Sequence, residues 1–142
     1  MTIWKQIALG SSLLACCVVS HVAILGAGIE LFAALGLSDG EGAGSGRWIS
    51  LILAASGVVL AGHTAQVWIW ALAFRFLGAL NDLGEAIYFA LVTTTTLGYG
   101  DVTLRREHRV FGAMSAVTGL MTYGLSTAFL IGVAEGVLRQ AS

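Results

Sequence analysis

The charged residues of this 142-residue chain are gathered into short groups, and the stretches between the groups carry no charge at all. A helix that crosses the roughly 30 Å hydrocarbon core of a bilayer needs about 20 predominantly apolar residues. Three of the four longest uncharged stretches meet that length, and the sequence therefore predicts an all-α membrane protein with three transmembrane helices. The four stretches are residues 6–29, 48–74, 86–100 and 110–134.

Composition excludes most other classes of protein. Only 11% of the residues are charged and 57% are apolar, whereas an ordinary soluble domain has about 25% charged residues. The net charge of −1 leaves no basic surface for a nucleic acid. Because the sequence also has no phosphate-binding loop and no nucleophile with a recognisable base, we expect neither an enzyme nor a cofactor.

The same pattern predicts how the chain is divided. We expect an additional N-terminal transmembrane helix within residues 1–37, since its apolar run continues past the length of a signal-peptide core. A glycine-rich loop over 38–47 follows, with the composition of a flexible connector. The remainder, 48–138, is predicted to contain an outer helix over 48–78 and an inner helix over 108–137.

The third uncharged stretch is too short to cross the bilayer. It ends in four threonines followed by Leu-Gly-Tyr-Gly at 93–100, which a lipid-facing helix would not tolerate. Such a pattern is typical of a re-entrant segment, in which a short helix enters the membrane and an irregular backbone leaves it. Irregular backbone survives at membrane depth only where protein or a water-filled cavity surrounds it, so this segment predicts a pore or an oligomer.

We expect the short helix over 83–95, with Asn81 or Asp82 as its N-cap and Glu85 in its first turn. The irregular segment then covers 96–100. Its two glycines can adopt the positive φ values that turn successive backbone carbonyls to one side. Rings of such carbonyls can replace the hydration shell of a dehydrated cation.

The sequence Thr96-Leu97-Gly98-Tyr99-Gly100-Asp101 resembles the pore loop of potassium channels, whose signature is Thr-Val-Gly-Tyr-Gly-Asp. The resemblance continues into the last helix and covers about two thirds of the chain. It implies a homotetramer around a central pore, with a pore helix and selectivity-filter loop in each chain, in the cell (inner) membrane. K+ would be the bound substrate, and the other partners would be the lipid bilayer and further copies of the chain. The K+ sites would be formed by the carbonyls of Thr96, Leu97, Gly98 and Tyr99 together with the Thr96 hydroxyl.

The resemblance also assigns roles outside the filter. Asp101 would lie at the outer mouth and Gly119 would be the hinge of the inner helix. Two further sets of residues follow: filter support from Tyr88, Phe89 and Thr95, and an inner pathway lined by Tyr123, Thr127, Ile131 and Glu135. The chain departs from the family at Phe89, which cannot donate a hydrogen bond to Asp101, so the outer clamp of the filter is not expected from that position.

Potassium-selective, passive conduction is the function that these residues favour. A weakly selective monovalent cation channel and a non-conducting regulatory membrane subunit remain alternatives. The family's orientation places the N-terminus outside, with five Lys/Arg outside and two inside, while the positive-inside rule favours the reverse arrangement.

Several polar and aromatic residues of the spans need an explanation of their own. His21 and His63 fall near the middle of the first two spans, where ionisable groups are costly and usually paired. We favour a neutral hydrogen-bonded contact that joins these helices, with Gln66 on the same face as His63. Proton sensing, or a metal site with Cys17 as a further ligand, are the alternatives. The first helix is expected to pack outside the second, and the four tryptophans are expected to be interfacial anchors: Trp4, Trp48, Trp68 and Trp70.

Overall fold

A computed structural model describes residues 1–36 and 45–141, and within these ranges all regular structure is helical. Three helices are long and apolar enough to cross a membrane. The all-α membrane fold that the sequence predicts is therefore confirmed. The elements are α1 (Ile3–Ala34), α2 (Ser45–Phe76), α3 (Leu83–Thr94), a 3-10 turn (Arg106–His108) and α4 (Arg109–Ala141).

The helix boundaries lie close to those that the charge pattern predicts. The short helix ends one residue before the predicted limit, at Thr94, and the inner helix continues past residue 137 to Ala141. The outer helix begins at Ser45, so the last three residues of the predicted glycine-rich loop are helical. Residues 37–44, which hold most of that loop, lie outside the described residues.

The contacts between helices give their relative directions. Gln6 of α1 contacts Val110 at the start of α4, and His21 contacts Ser126 farther along it. The sequence separation is 104 and 105 residues, which means that α1 and α4 run in the same direction. Thr122 of α4 contacts Gln66 of α2, while Ser126 contacts His63, so α2 runs antiparallel to α4.

The position of α1 goes beyond the expectation that it packs outside the second span. This helix packs against both α2 and α4. Gly10 of α1 lies against the side chain of Met114 of α4, and Gly28 lies 2.8 Å from Val58 of α2, measured from where a Cβ would be. Small residues at helix contacts allow the close approach on which packing in a bilayer depends, because lipid provides no hydrophobic drive between helices.

An aromatic cluster fills the space where α2, α3 and α4 meet. Trp70, Phe74 and Phe111 are all at most 1% exposed, and their ring centroids are 5.2–5.7 Å apart. Phe89 of α3 packs edge-on against Phe74 at 5.1 Å. The prediction that Trp70 is an interfacial anchor is therefore wrong, since this indole is 0% exposed and lies in the core. Ring contacts of this kind add to ordinary packing and hold both the start of α4 and the middle of α3 against α2.

Candidate ion pathway

A turn and a backbone hydrogen bond define the connection between α2 and α3. Gly78 turns the chain at a φ of 65°, and the amide of Ala79 donates to the Phe74 carbonyl at 2.9 Å. Asp82 is the N-cap of α3, since its carboxylate accepts from the Glu85 amide at 2.9 Å. Of the two caps that the sequence allows, the structure selects Asp82.

The backbone amides after α3 turn back toward that helix. The amides of Leu97 and Gly98 both donate to the Val92 carbonyl, at 3.0 and 3.1 Å, and the amide of Thr96 donates to the Thr93 carbonyl at 2.9 Å. In a trans peptide, the carbonyl of one residue points opposite to the amide of the next. The carbonyls of residues 95, 96 and 97 therefore face away from α3, as a cation-binding row requires.

Backbone conformation alternates along the same segment. Positive φ values occur at Thr96 (60°), Gly98 (55°) and Gly100 (81°), with other conformations between them. The two glycines adopt these values freely, whereas a β-branched threonine in this region is strained. Within the described residues Thr96 is the one non-glycine with a positive φ. Strain of about 1–3 kcal/mol at one residue is a mark of functional sites.

The segment 96–100 is exposed in the single chain. Leu97 is 55% exposed and Tyr99 is 68% exposed. Behind the segment, between α3 and the start of α4, lies a cavity of about 320 Å³ whose lining includes Phe89, Thr93 and Gly112. A single chain therefore exposes irregular backbone on one side. The bilayer interior does not tolerate such backbone unless protein or a water-filled cavity covers it.

A hydrogen bond closes the outer end of this segment. Tyr88 of α3 donates through its hydroxyl to Asp101 at 2.5 Å, and the amide of Val102 donates to the other carboxylate oxygen at 3.0 Å. Tyr88, and not Phe89, therefore provides the hydrogen bond to Asp101 that clamps the outer end of the segment. The Tyr88 hydroxyl lowers the pKa of Asp101 below its usual value, and the same hydrogen bond raises the pKa of Tyr88.

The directions of these shifts set the pH range of the clamp. Because the pKa of Asp101 is lowered, the stabilisation is fully present above the ordinary aspartate value of about 4 and is lost as the pH falls through the lowered value. At alkaline pH the clamp persists until Tyr88 loses its proton, above the ordinary tyrosine value of about 10. The outer clamp is therefore intact across the physiological range.

Replacing Tyr88 with phenylalanine should raise the pKa of Asp101 toward its ordinary value, because the hydroxyl that stabilises the carboxylate is removed. Titration of protein labelled with carboxyl-¹³C aspartate measures this change. Tyr123→Phe is the matched control and should leave the Asp101 titration unchanged. An Asp101 pKa that is equal in Tyr88→Phe and the wild type would contradict the clamp.

Gly119 marks the place where α4 meets the end of α3. A Cβ at this position would overlap the Thr94 carbonyl oxygen, with the carbonyl carbon 2.8 Å away. The helix is continuous from Arg109 to Ala141, without a break at Gly119. The structure therefore shows a close packing contact at the residue that the resemblance assigns as a hinge.

The other residues assigned to the inner pathway share one side of α4. Tyr123, Thr127, Ile131 and Glu135 are all exposed in the single chain. The Thr127 hydroxyl donates to the Tyr123 carbonyl at 2.9 Å. Glu135 lies 3.9 Å from Arg139 one turn later, and both side chains are more than 60% exposed. An exposed pair of this kind contributes little to stability.

A buried polar cluster joins the three spans near their middle. The Nε2 atoms of His21 and His63 lie 2.9 and 3.1 Å from one oxygen, the hydroxyl of Ser126. One turn earlier on α4, the Thr122 hydroxyl donates to the Gln66 amide oxygen at 2.7 Å. The two histidine rings are 4.8 Å apart, as a contact between the first two spans predicts. Each histidine, however, contacts the Ser126 hydroxyl of α4, so the hydrogen bonds join both helices to α4 and not directly to each other.

The alternative of a metal site is not supported by this geometry. Across residues 1–36 and 45–141, no three His, Cys, Asp or Glu side chains are grouped so that they could hold a metal ion. Cys17, which the sequence paired with His21 as a metal ligand, is 1% exposed and packs in the core with Trp70 and Ala71.

Comparison with protein families identifies the class of protein that this fold and filter define. Residues 62–135, just over half of the chain, match an ion channel family. The chain belongs to this family, whose pore domain is of the two-span potassium-channel type. It is therefore an ion channel protein with several membrane spans and not an enzyme. Searches of curated proteins and of solved structures gave no significant match.

Sequence reasoning missed the residues of α4 that face its neighbours. Four small hydroxyl residues recur along this helix at intervals of three or four, and all are buried. That spacing is the signal of one polar face on a helix, and it would have found the partner of both histidines. The four residues are Ser115, Thr118, Thr122 and Ser126.

Proposed function

We propose that this chain forms a homotetrameric, potassium-selective channel that conducts K+ passively across the cell (inner) membrane. The observation that carries the proposal is the row of carbonyls that faces away from α3 over residues 95–97, continued by the alternating φ values at Thr96, Gly98 and Gly100. A dehydrated cation needs oxygens on all sides, and one chain supplies a single column of them. Four copies complete each ring.

The chemistry of the ring favours potassium over an anion or a divalent cation. The oxygens come from the backbone carbonyls of Thr96, Leu97, Gly98 and Tyr99 and from the Thr96 hydroxyl, and none carries a formal charge. Neutral carbonyl dipoles can replace the weakly held water of a large monovalent cation. They repel anions, and they do not offer the carboxylates by which divalent cations are usually held.

Features around the filter support the same proposal. The C-terminal end of α3, with the partial negative charge of its dipole, leads directly into the filter at Thr95. The exposed side chains of Leu97 and Tyr99 need a protein surface around them at membrane depth. Neighbouring copies of the chain provide that surface, and lipid surrounds the exposed apolar residues of α1 and α2.

Flux measurements on purified protein in liposomes test the function. We expect K+ flux in the wild type and loss of that flux in Tyr99→Ala, because the side chain supports the filter from behind. Phe76→Ala, at an 83% exposed position at the end of α2, is the matched aromatic control and should conduct normally. Na+ flux should be well below the K+ flux, because the carbonyl ring replaces the hydration shell of K+ better than that of Na+.

Each other result identifies one of the alternatives. Equal Na+ and K+ flux that is lost in Tyr99→Ala would favour a weakly selective cation channel. Absence of flux in a correctly assembled protein would favour a non-conducting regulatory subunit. Native mass spectrometry of the detergent-solubilised protein measures the number of chains, and a count other than four would contradict the proposed pore.

A further inference from the structure

One side of α4 is hydrogen-bonded to both outer helices near the middle of the spans. The Ser126 hydroxyl lies 2.9 Å from Nε2 of His21 on α1 and 3.1 Å from Nε2 of His63 on α2. One turn earlier, the Thr122 hydroxyl donates to the side-chain oxygen of Gln66 at 2.7 Å. We call these five residues the polar tie.

The polar tie contains the last buried side chain of α4. The start of this helix is held by the side chain of Gln6 and by the ring contacts of Phe111. Beyond Ser126, none of the side chains that the structure describes on α4 is buried. From Ser126 to its end at Ala141 the helix rises about 22 Å. The position of this end therefore depends on how the polar tie holds the helix.

The polar tie and the proposed ion pathway lie on nearly opposite sides of α4. Successive residues of an α-helix are rotated by about 100° around its axis. By that rotation the centres of the two sides are separated by roughly 150°. The outer helices therefore hold α4 by the side that faces away from the pathway. The buried side consists of Ser115, Thr118, Thr122 and Ser126, and the pathway side consists of Tyr123, Thr127, Ile131 and Glu135.

The pathway side carries apolar surface that favours movement toward the axis. Ile131 is 54% exposed and Tyr123 is 39% exposed in the single chain. In a tetramer these side chains would face a water-filled pathway, and removing apolar surface from water is favourable. If the four α4 helices moved inward, these side chains would pack against one another. An apolar constriction of this kind stops ions by dewetting.

We propose that the polar tie holds the second half of α4 off the pore axis and so keeps the ion pathway wide. This proposal rests on the tetrameric channel proposed above. The members of the tie on the outer helices, His21, His63 and Gln66, are positioning residues for conduction, which act through α4 without touching an ion. His21 lies on α1, before the residues that match the ion channel family, so α1 takes part in conduction as well.

Ion flux in liposomes tests this role with three variants of α1. His21→Leu removes the bond to Ser126, and we expect K+ flux to fall about three- to tenfold, the shift that one hydrogen bond between membrane helices gives to an equilibrium. The ratio of K+ to Na+ flux should keep its wild-type value, because the filter is not touched. His21→Gln keeps an amide within reach of Ser126 and should conduct near the wild-type level. Ser12→Leu, at an exposed position whose hydroxyl donates to Ala8 of the same helix, is the matched control and should conduct normally.

Distances between spin labels test the position of α4 without any ion flux. Gly132→Cys carries the label, since a Cβ at this position would meet nothing within 4 Å, and Cys16 and Cys17 are first replaced with alanine. We expect the distance between labels of one tetramer to be shorter in His21→Leu than in His21→Gln or in the otherwise unchanged chain. Thr122→Val removes the bond to Gln66 with little change of shape. It should shorten the same distance, and it provides the test if His21→Leu does not assemble.

Two results would overturn the proposal. One is a label distance in His21→Leu, or in Thr122→Val if the first variant does not assemble, that equals or exceeds the wild-type distance. The other is K+ flux in His21→Leu that equals or exceeds the wild-type flux. Absence of flux in the wild type would contradict the channel function, while the label distances would still decide whether the polar tie holds α4 off the axis.

Discussion

Gly119→Ala is expected to lower the free energy of unfolding by about 3 kcal/mol, the upper part of the range for overpacked cores. The added methyl would overlap the Thr94 carbonyl, and the backbone atoms around it lie at 2.8 and 3.2 Å. A flexible side chain could move away from such a contact, whereas the end of α3 is held by the Leu97 and Gly98 amides on Val92. The filter would have to shift to make room.

Thermal unfolding of the purified protein in detergent, followed by circular dichroism, measures this effect. The matched control is Gly124→Ala on the same helix, where a Cβ would meet nothing within 4 Å. This control should be neutral or stabilising by up to about 1 kcal/mol, because alanine favours helix more than glycine does.

The same pair of variants separates packing from hinge motion at Gly119. If the residue serves only as a hinge, Gly119→Ala would unfold at the wild-type temperature and differ only in gating. If the residue serves as a packing contact, the unfolding temperature falls and K+ flux is lost with it. We expect the second result, since a Cβ at Gly119 would overlap the backbone of Thr94.

Gln6→Leu is expected to cost about 2–4 kcal/mol, because one buried and one partly buried amide donor lose their partner at once. The side-chain oxygen of Gln6 accepts from the amides of Val110 and Phe111, at 3.1 and 3.4 Å. These amides belong to the first turn of α4, where no intrahelical acceptor exists. Gln6 of α1, which is only 4% exposed, therefore caps the first turn of α4.

Gln6→Glu is the matched control for this cap. It keeps the accepting oxygen and places a negative charge at the positive end of the α4 dipole. We expect this variant to unfold within about 1 kcal/mol of the wild type, in the same thermal assay used for Gly119. A loss as large as that of Gln6→Leu would show that packing, and not the hydrogen bond, explains the contribution of Gln6.

Much of the fold could be predicted from the distribution of charge. The lengths of the uncharged stretches identified three spans and the short α3, because a bilayer imposes a minimum length that a soluble core does not. The cap at Asp82 was also accessible, since capping depends on local sequence. Loop 38–47 was predicted from composition, and most of it lies outside the described residues.

The lateral arrangement of the helices could not be predicted in the same way. Gln6 and Trp70 both carry polar groups near span ends, where exposure to the interface explains them equally well. Their burial depends on which helix lies beside them, and one sequence contains no information on lateral order. The packing of α1 against both α2 and α4 was missed for that reason.

In the candidate site, too, some features depend on the local sequence and others on contacts between residues far apart in the chain. Positive φ values at Gly98 and Gly100 follow from the residue type, whereas the positive φ at Thr96 goes against it. That angle is imposed by the three amides that donate back to α3. The hydrogen bond from Tyr88 to Asp101 spans 13 residues, and it required knowledge of how α3 faces the outer end of the filter.

The parallel pairing of α1 with α4 has a consequence for synthesis of the protein. The partners of Gln6 and His21 lie 104 and 105 residues farther along the chain, so α1, which is synthesised before α4, completes these hydrogen bonds only when α4 has entered the bilayer. During that interval the side chains of Gln6 and His21 lie in or near the hydrocarbon without the hydrogen-bond partners that α4 provides. A chain whose α4 fails to insert therefore leaves Gln6 and His21 of α1 without their α4 partners.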